Sequence, residues 1–323
     1  MHGATVSVFI PVYNGEKYLR ECIDAVLRQK LPKDYELELL ITDSGSKDGS
    51  VEIVRSYGDK IVFDEIPNSD YGHGKTRQRA AMRAKGDFVL FLSQDATPSS
   101  DMWLVHMIEP FFVSDKVSCV FGRQVPRPFS VPIIKRDIAQ VFSQFGLADQ
   151  IVIHRSGLLI DTSNTHTGNG FFSDVNSAIR KSALKEVPFQ DIRYAEDQAL
   201  AKDMLAAGYW KAYAPQGAVW HSNEYTVSEY RKRIFDEYCG LQESISYPAR
   251  PSLRSLLLGW IKPTAADWRF IFNDREYTPY VKLKYSVLTV GYEIMKQRGI
   301  YDAARFSGDQ KKRASLSLEE QRK

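Results

Sequence analysis

The sequence predicts an α/β protein: a mostly parallel central sheet flanked by helices, followed by a helical C-terminal extension. Three observations predict it. Strand and helix patterns alternate through the first 125 residues, and such alternation requires crossover connections between parallel strands. The first strand segment, "TVSVFIPVY", is β-branched and apolar without clean alternation, as a strand covered on both faces must be. From residue 227 onward the pattern turns helical and basic.

Each element follows in order. "TVSVFIPVY" is the first strand, and Asn14 is placed to cap the next helix. Tyr18, Leu19, Cys22, Ile23, Val26 and Leu27 give that helix one apolar stripe. "LELLIT" is the second strand, and "DSGSKDGS" is a polar turn into the helix "VEIVRSY". "KIVFDEI", "DFVLFLS" and "VSCVFGR" are the third to fifth strands, separated by the helices "KTRQRAAMRA" and "SDMWLVHMIEPFF". Residues 126–172 break the rhythm. Their prolines and glycines, a helix near 134–146 and the Gly/Asn/Thr cluster "NTHTGNG" predict a mobile excursion over the site. "DVNSAIRKSAL" resumes as strand then helix, "AEDQALAKDMLAAG" is a helix with Glu196 and Asp197 in its first turn, and "WKAYAPQGAVWHS" is a strand ending at His221. The reading divides the chain into 1–225, with halves 1–125 and 126–225, and an extension 226–323 whose charged tail from about 307 is expected to be frayed.

Composition excludes several classes. A net charge of +3 gives no footprint for nucleic acid. Cys22, Cys119 and Cys239 are odd in number and widely spaced, so they form neither a disulfide framework nor a metal knuckle and suit a reducing, cytoplasmic compartment. "MHGATVSVFIPVYN" reads as a strand, not a signal peptide. No apolar run approaches the roughly 20 residues that span a bilayer. No G-x-G-x-x-G follows the first strand, which argues against a dinucleotide dehydrogenase.

In open α/β sheets ligands bind beyond the carboxyl ends of the strands. Tyr13-Asn14, Asp43-Ser44 and Gln94-Asp95 each follow directly on a predicted strand, so three strands deliver polar side chains to one edge. Singly, each acid could be a turn residue or a helix cap. Together they outline a site.

"SVFIPVYNGEKYLRECIDAVLRQ", "ITDSGSKDGS", "AKGDFVLFLSQDATP" and "AEDQALAKDMLAAGY" occur in that order, and over residues 5–225 the chain resembles the family 2 glycosyltransferases. These are inverting, nucleotide-sugar-dependent enzymes of the GT-A fold, with a Rossmann-like sheet. "SQDA", "DVNSAIRKSAL" and "AEDQALAKDML" look like the bacterial rhamnosyltransferases, which use dTDP-L-rhamnose in cell-wall rhamnan or O-antigen synthesis. The resemblance implies that 1–125 holds the nucleotide-sugar and 126–225 the acceptor. It places Pro11, Val12, Tyr13 and Asn14 along base and ribose, with Tyr13 as a stacking face. Asp43, with Ser44 beside it, would accept from a thymine or uracil imide N–H. His73, Lys75 and Arg77, beside two glycines at a helix start, would lie near the phosphates.

The family's D-x-D motif reads Ser93-Gln94-Asp95 here, leaving Asp95 to bind the Mg²⁺ or Mn²⁺ that bridges the diphosphate. One protein carboxylate suffices in principle, because phosphate oxygens and water complete the octahedron. His221 matches the position that can add a ligand, although a lone histidine is as often a structural donor. Asp197 is implied as the general base and Glu196 as an acceptor-orienting residue, against the plain alternative of first-turn acids that complement the helix dipole. A UDP-sugar donor and a catalytically silent nucleotide-sugar or glycan-binding subunit remain as alternatives. The aromatic and basic extension would suit an interfacial helix on an anionic bilayer, a dimerisation helix or a packed lid. Growth of rhamnans and O-antigens on lipid-linked acceptors favours peripheral contact with the inner face of the membrane.

Overall fold

The computed structural model describes residues 4–155, 170–192, 194–245 and 251–322. Most of the Gly/Asn/Thr cluster, residues 164–169, lies outside them. The chain forms two compact units, one of residues 1–125 and 141–221, the other of 126–140 and 222–323.

The first unit opens with β1 (Ala4–Val12), α1 (Glu16–Leu27), β2 (Tyr35–Asp43), α2 (Ser50–Arg55), β3 (Val62–Glu65) and α3 (His73–Arg83). It continues through β4 (Phe88–Leu92), the short β5 (Thr97–Pro98), α4 (Trp103–Ile108) and β6 (Val117–Val125). After α5 (Pro132–Phe142), which leads out of the second unit, come β7 (Val152–His154), β8 (Asn176–Arg180), α6 (Lys181–Glu186), α7 (Glu196–Ala206) and β9 (Trp210–Trp220). The sheet order is β3-β2-β1-β4-β8-β6-β9-β5, with β7 also on β9. β8 runs antiparallel to both β4 and β6, so β1, β2, β3, β4, β6 and β9 all point the same way. β8 is reversed within the sheet, and β5 and β7 run antiparallel to β9. The six parallel strands thus share one carboxyl edge, and the beginning of β8 joins it.

The apolar runs form strands because both faces are covered. Val6, Val8, Ile10, Leu90 and Leu92 meet Leu19, Ile23 and Val26 of α1 in one core, with Trp103 and Met107 of α4 beyond. On the opposite face Phe121 packs among Phe145, Phe171, Phe172 and Tyr213. Burying one such side chain is worth roughly 1.5–3 kcal/mol. Cys22, Cys119 and Cys239 are all buried, none in a disulfide.

The second unit is α-helical: α5, then α8 (Val227–Ile245), α9 (Leu253–Leu258), α10 (Ile261–Asn273), α11 (Pro279–Phe306), α12 (Gln310–Leu316) and α13 (Leu318–Arg322). Two features differ from the sequence reading. Residues 126–140 belong with this unit, because Lys135 pairs with Asp274 at 2.8 Å and Arg136 with the buried Asp267 at 2.8 Å. The tail beyond 307 is helical rather than frayed: Asp236 Oδ2 accepts from the backbone N–H groups of Leu318 (2.8 Å) and Glu319 (3.1 Å), and Leu318 is buried. Low hydrophobicity hid a tail fixed by a buried carboxylate.

Candidate active site

The edge is assembled from strand ends tied to one another. Gln94, one of the polar residues that the sequence brings to this edge and a candidate donor contact, clamps the end of β1. Its Oε1 accepts from Tyr13 N–H at 2.8 Å and its Nε2 donates to the Tyr13 carbonyl at 3.0 Å. A Cβ at Gly15 would sit 2.5 Å from that Oε1, so the clamp requires glycine there. Asn14 does not cap α1 by its side chain. It takes a left-handed φ of 48°, and its Oδ1 accepts from Lys47 N–H at 2.8 Å. The Glu16 N–H donates instead to Asp48 at 3.1 Å, across the facing loop. Burial favours the neutral Asp48, but hydrogen bonds from Ser50 and Glu16 outweigh it and hold the carboxyl below its ordinary range.

Asp43 ends β2 opposite Val12 and is buried. Its Oδ1 accepts from Gly45 and Ser46 N–H at 2.8 and 2.9 Å, and Ser46 Oγ donates to Oδ2. Ser44 donates both N–H and hydroxyl to the Val12 carbonyl. Pro11 and Tyr13 are half-buried beside this turn. Asp43 is therefore a turn-forming acid whose carboxylate is oriented by its own loop.

α3 begins at His73, whose Nδ1 lies 3.0 Å from the Tyr71 hydroxyl, while Lys75 is exposed. The neighbouring Gly74 serves packing: a Cβ there would meet the Gln190 carbonyl at 2.4 Å. The resemblance places Arg77 near the phosphates, but its guanidinium is paired within the fold. It is buried, with Nη1 2.8 Å from Glu196 and Nε 3.3 Å from Asp174. Burial opposes its charge, but Asp174 and Glu196 prevail and hold the guanidinium protonated.

Ala195 precedes α7 with a left-handed φ of 60°, a strained conformation for a residue with a Cβ, and it sets Glu196 and Asp197 at the helix start. Asp197 is half-buried, and its oxygens accept from Asp174 N–H at 3.1 Å and Gln198 N–H at 2.7 Å. Arg77 pairs with Asp174 and Glu196, and Asp197 adds a third carboxyl beside them. Burial, reinforced by Glu196 and Asp174, pushes the Asp197 carboxyl up to about 8. Burial, opposed by Arg77 and aided by Glu196, lifts Asp174 to about 6.

Asp95 and His221 meet at the other end of the edge, with Oδ1 3.6 Å from Nε2. His221 Nδ1 lies 2.9 Å from Gln124 Oε1, and Gln124 Nε2 donates to Ser173 Oγ at 3.1 Å. With Gln124 so oriented its oxygen must receive a proton from Nδ1. In the neutral imidazole Nε2 then carries a lone pair, aimed at a carboxylate. Two electron-pair donors at that separation fit a shared divalent cation. Among the described residues no group of three or more such side chains forms a complete metal cage, so phosphate oxygens and water would supply the remaining ligands of Mg²⁺ or Mn²⁺.

Ser173 and Asp174 join the two halves of the site. Ser173 meets the Gln124–His221 pair, Asp174 N–H holds Asp197, and Val175 accepts from Ser93 N–H at 3.1 Å beside the Gln94-Asp95 turn. Ser173 and Asp174 carry no strand-end signal in the sequence. The strand-end rule looks past the carboxyl end of a strand, whereas Ser173 and Asp174 precede β8, which enters the same edge reversed. Gln124 sits within β6, where nothing local marks it.

The profile of the Glycosyl transferase family 2 matches residues 7–188. The O-antigen chain rhamnosyltransferase WbaN of Salmonella anatum is 32% identical over 236 residues, covering 71% of this chain and 70% of that protein. RfbN of Salmonella typhimurium, also an O-antigen chain rhamnosyltransferase, is 28% identical over 235 residues, covering 72% and 70%. Among solved structures, the Pyrobaculum calidifontis mannosyltransferase PcManGT in complex with GDP-Man and Mn²⁺ superposes with a TM-score of 0.61 at 18% identity, covering 95% of this chain and 87% of that one. That likeness extends the GT-A architecture to this fold. With a carboxyl-edge site on such a sheet and the family profile over more than half its length, the chain belongs to glycosyl transferase family 2 and is a glycosyltransferase.

Proposed function

We propose that the protein transfers L-rhamnose from dTDP-β-L-rhamnose to a lipid-linked glycan acceptor in bacterial cell-surface polysaccharide synthesis, with inversion at the anomeric carbon. One observation carries the mechanism: a carboxylate of raised pKa, Asp197, is wired through Asp174, Ser173, Gln124 and His221 to Asp95 along one strand edge. The rhamnosyl donor is supported by the two O-antigen chain rhamnosyltransferase relatives.

In this reading Asp43 and Ser44, with Pro11, Val12, Tyr13 and Asn14, receive the nucleoside, and Lys75 and His73 lie toward the diphosphate. Asp95 and His221 would hold Mg²⁺ or Mn²⁺, which when bound supplies a Lewis acid for the charge that develops on the diphosphate. The acceptor hydroxyl oxygen attacks the anomeric carbon from the face opposite the nucleotide. The new C–O bond forms as the C–O bond to the phosphate breaks, and that electron pair leaves with the nucleoside diphosphate. Asp197 takes the hydroxyl proton. Arg77 keeps Glu196 and Asp174 in place, and the excess of carboxyls around it sustains the basicity of Asp197.

The test is a donor panel with purified protein and Mg²⁺. Nucleotide release from dTDP-L-rhamnose, well above that from UDP-glucose, UDP-N-acetylglucosamine or GDP-mannose, is expected. Preference for a UDP- or GDP-sugar replaces the rhamnosyl reading.

A further inference from the structure

The second unit carries an apolar face that its own packing leaves uncovered. α10 lies antiparallel to α11: Trp268 Nε1 donates to the Ser286 carbonyl at 2.8 Å, and Lys282 Nζ reaches the Phe272 carbonyl at 2.9 Å. Each helix turns its buried stripe inward, with Asp267 and Ile271 on α10 and Thr289, Tyr292 and Glu293 on α11. Ile261, Trp268 and Phe272 form the outer stripe of α10, the last two 42% and 59% exposed. Leu283, Val287 and Ile294 form that of α11, the first two 69% and 70% exposed. Scattered surface apolar residues need no explanation, but aligned stripes on two adjacent helices do.

Charge identifies the occupant. Residues 251–292 hold six basic side chains and three acids. The acids are engaged within the fold: Asp267 by Arg136 at 2.8 Å, Asp274 by Lys135 at 2.8 Å and Glu276 by Lys135 at 2.6 Å. Lys262, Arg269, Arg275 and Lys284 are exposed. Lys262 and Arg269 each follow directly on a residue of the apolar stripe. A two-fold contact between copies would set this basic rim against itself. An anionic lipid surface would neutralise it while taking up the apolar stripes. Among the described residues no helix is long and apolar enough to cross a membrane, so the face would lie along the interface.

We infer that the α10–α11 face is a docking surface for an anionic phospholipid bilayer. Flotation of the full chain with vesicles tests it without donor or acceptor, so the outcome is separable from that of the transfer reaction. Binding is expected to vesicles containing about one-third phosphatidylglycerol and to weaken by at least tenfold on pure phosphatidylcholine. Each basic side chain near such a surface contributes about fivefold. Lys262→Glu with Arg269→Glu should therefore lower binding about 25-fold or more, and Leu283→Ser with Val287→Ser should abolish it. Both pairs are exposed, so unchanged circular dichroism is expected. Light scattering on the same proteins reads the rival occupant. Native protein that ignores anionic vesicles, charge-reversed protein that floats like native, or a native dimer dissociated by Leu283→Ser with Val287→Ser would each overturn the inference.

Discussion

Asp197→Asn separates base from scaffold. The substitution keeps a side chain of the same shape and an oxygen that can accept from Asp174 or Gln198 N–H, but it removes the basic electron pair. With the carboxyl pushed up to about 8 by burial and by Glu196 and Asp174, about one-tenth is ionised at pH 7. kcat/KM of the native enzyme should therefore rise about tenfold between pH 6 and 7 and level off above 8. General-base catalysis is worth about 10²–10⁴, so Asn should lower turnover by that factor and erase the slope, while donor affinity by calorimetry stays within about twofold. The same ionisations act on stability. Asp174 and Asp197 bind protons more tightly folded than unfolded, where such groups titrate near 4. Their stabilisation is complete below about pH 4 and is lost as pH rises through about 6 and about 8. The native Tm should fall between pH 5 and 8, and Asp197→Asn should flatten that fall. Near-native turnover in the variant, or retention of the donor's anomeric configuration by NMR, would refute the assignment. Lost donor affinity would move Asp197 into the nucleotide-sugar pocket.

Asp95→Ala should abolish transfer, as should chelator with the native protein, and added Mg²⁺ or Mn²⁺ should restore only the latter; full activity in excess EDTA would end the metal assignment. Gln124→Leu removes the acceptor that fixes the His221 tautomer, and such outer-shell partners are worth about 10–100-fold in metal affinity. Mn²⁺ binding in the presence of nucleoside diphosphate, read by electron paramagnetic resonance, should weaken accordingly and return in Gln124→Glu; native affinity in Gln124→Leu would make the contact merely structural. Ala195→Gly relieves a left-handed φ of 60° and should leave stability unchanged or raise it by about 1 kcal/mol, whereas Ala195→Val should destabilise in denaturant titration. Asp236→Ala leaves Leu318 and Glu319 N–H without their acceptor. It should cost about 1–3 kcal/mol and speed proteolysis within the C-terminal helices.

The sequence by itself determined the parallel core and its edge. Apolar β-branched runs alternating with a stripe such as Leu19, Cys22, Ile23 and Val26 admit few other folds, because both faces of each strand must be covered. Polar residues directly after such runs, Asp43 and Asp95 among them, then follow from where a parallel sheet ends. Local sequence also located Glu196-Asp197 and His221, since helix starts and strand ends are written locally. Only the tertiary structure decided how these groups are used. Arg77 and Glu196 are 119 positions apart and form a buried pair, so a basic residue read as a phosphate contact became a counter-ion. Gln94 spends its amide on Tyr13, 81 positions away. Gln124 sets the proton on His221 across 97 positions. Asp174 enters the edge from the start of a reversed strand, a direction that no local pattern announces. A side chain's role depends on which distant group its hydrogen bonds satisfy, and burial makes that choice obligatory.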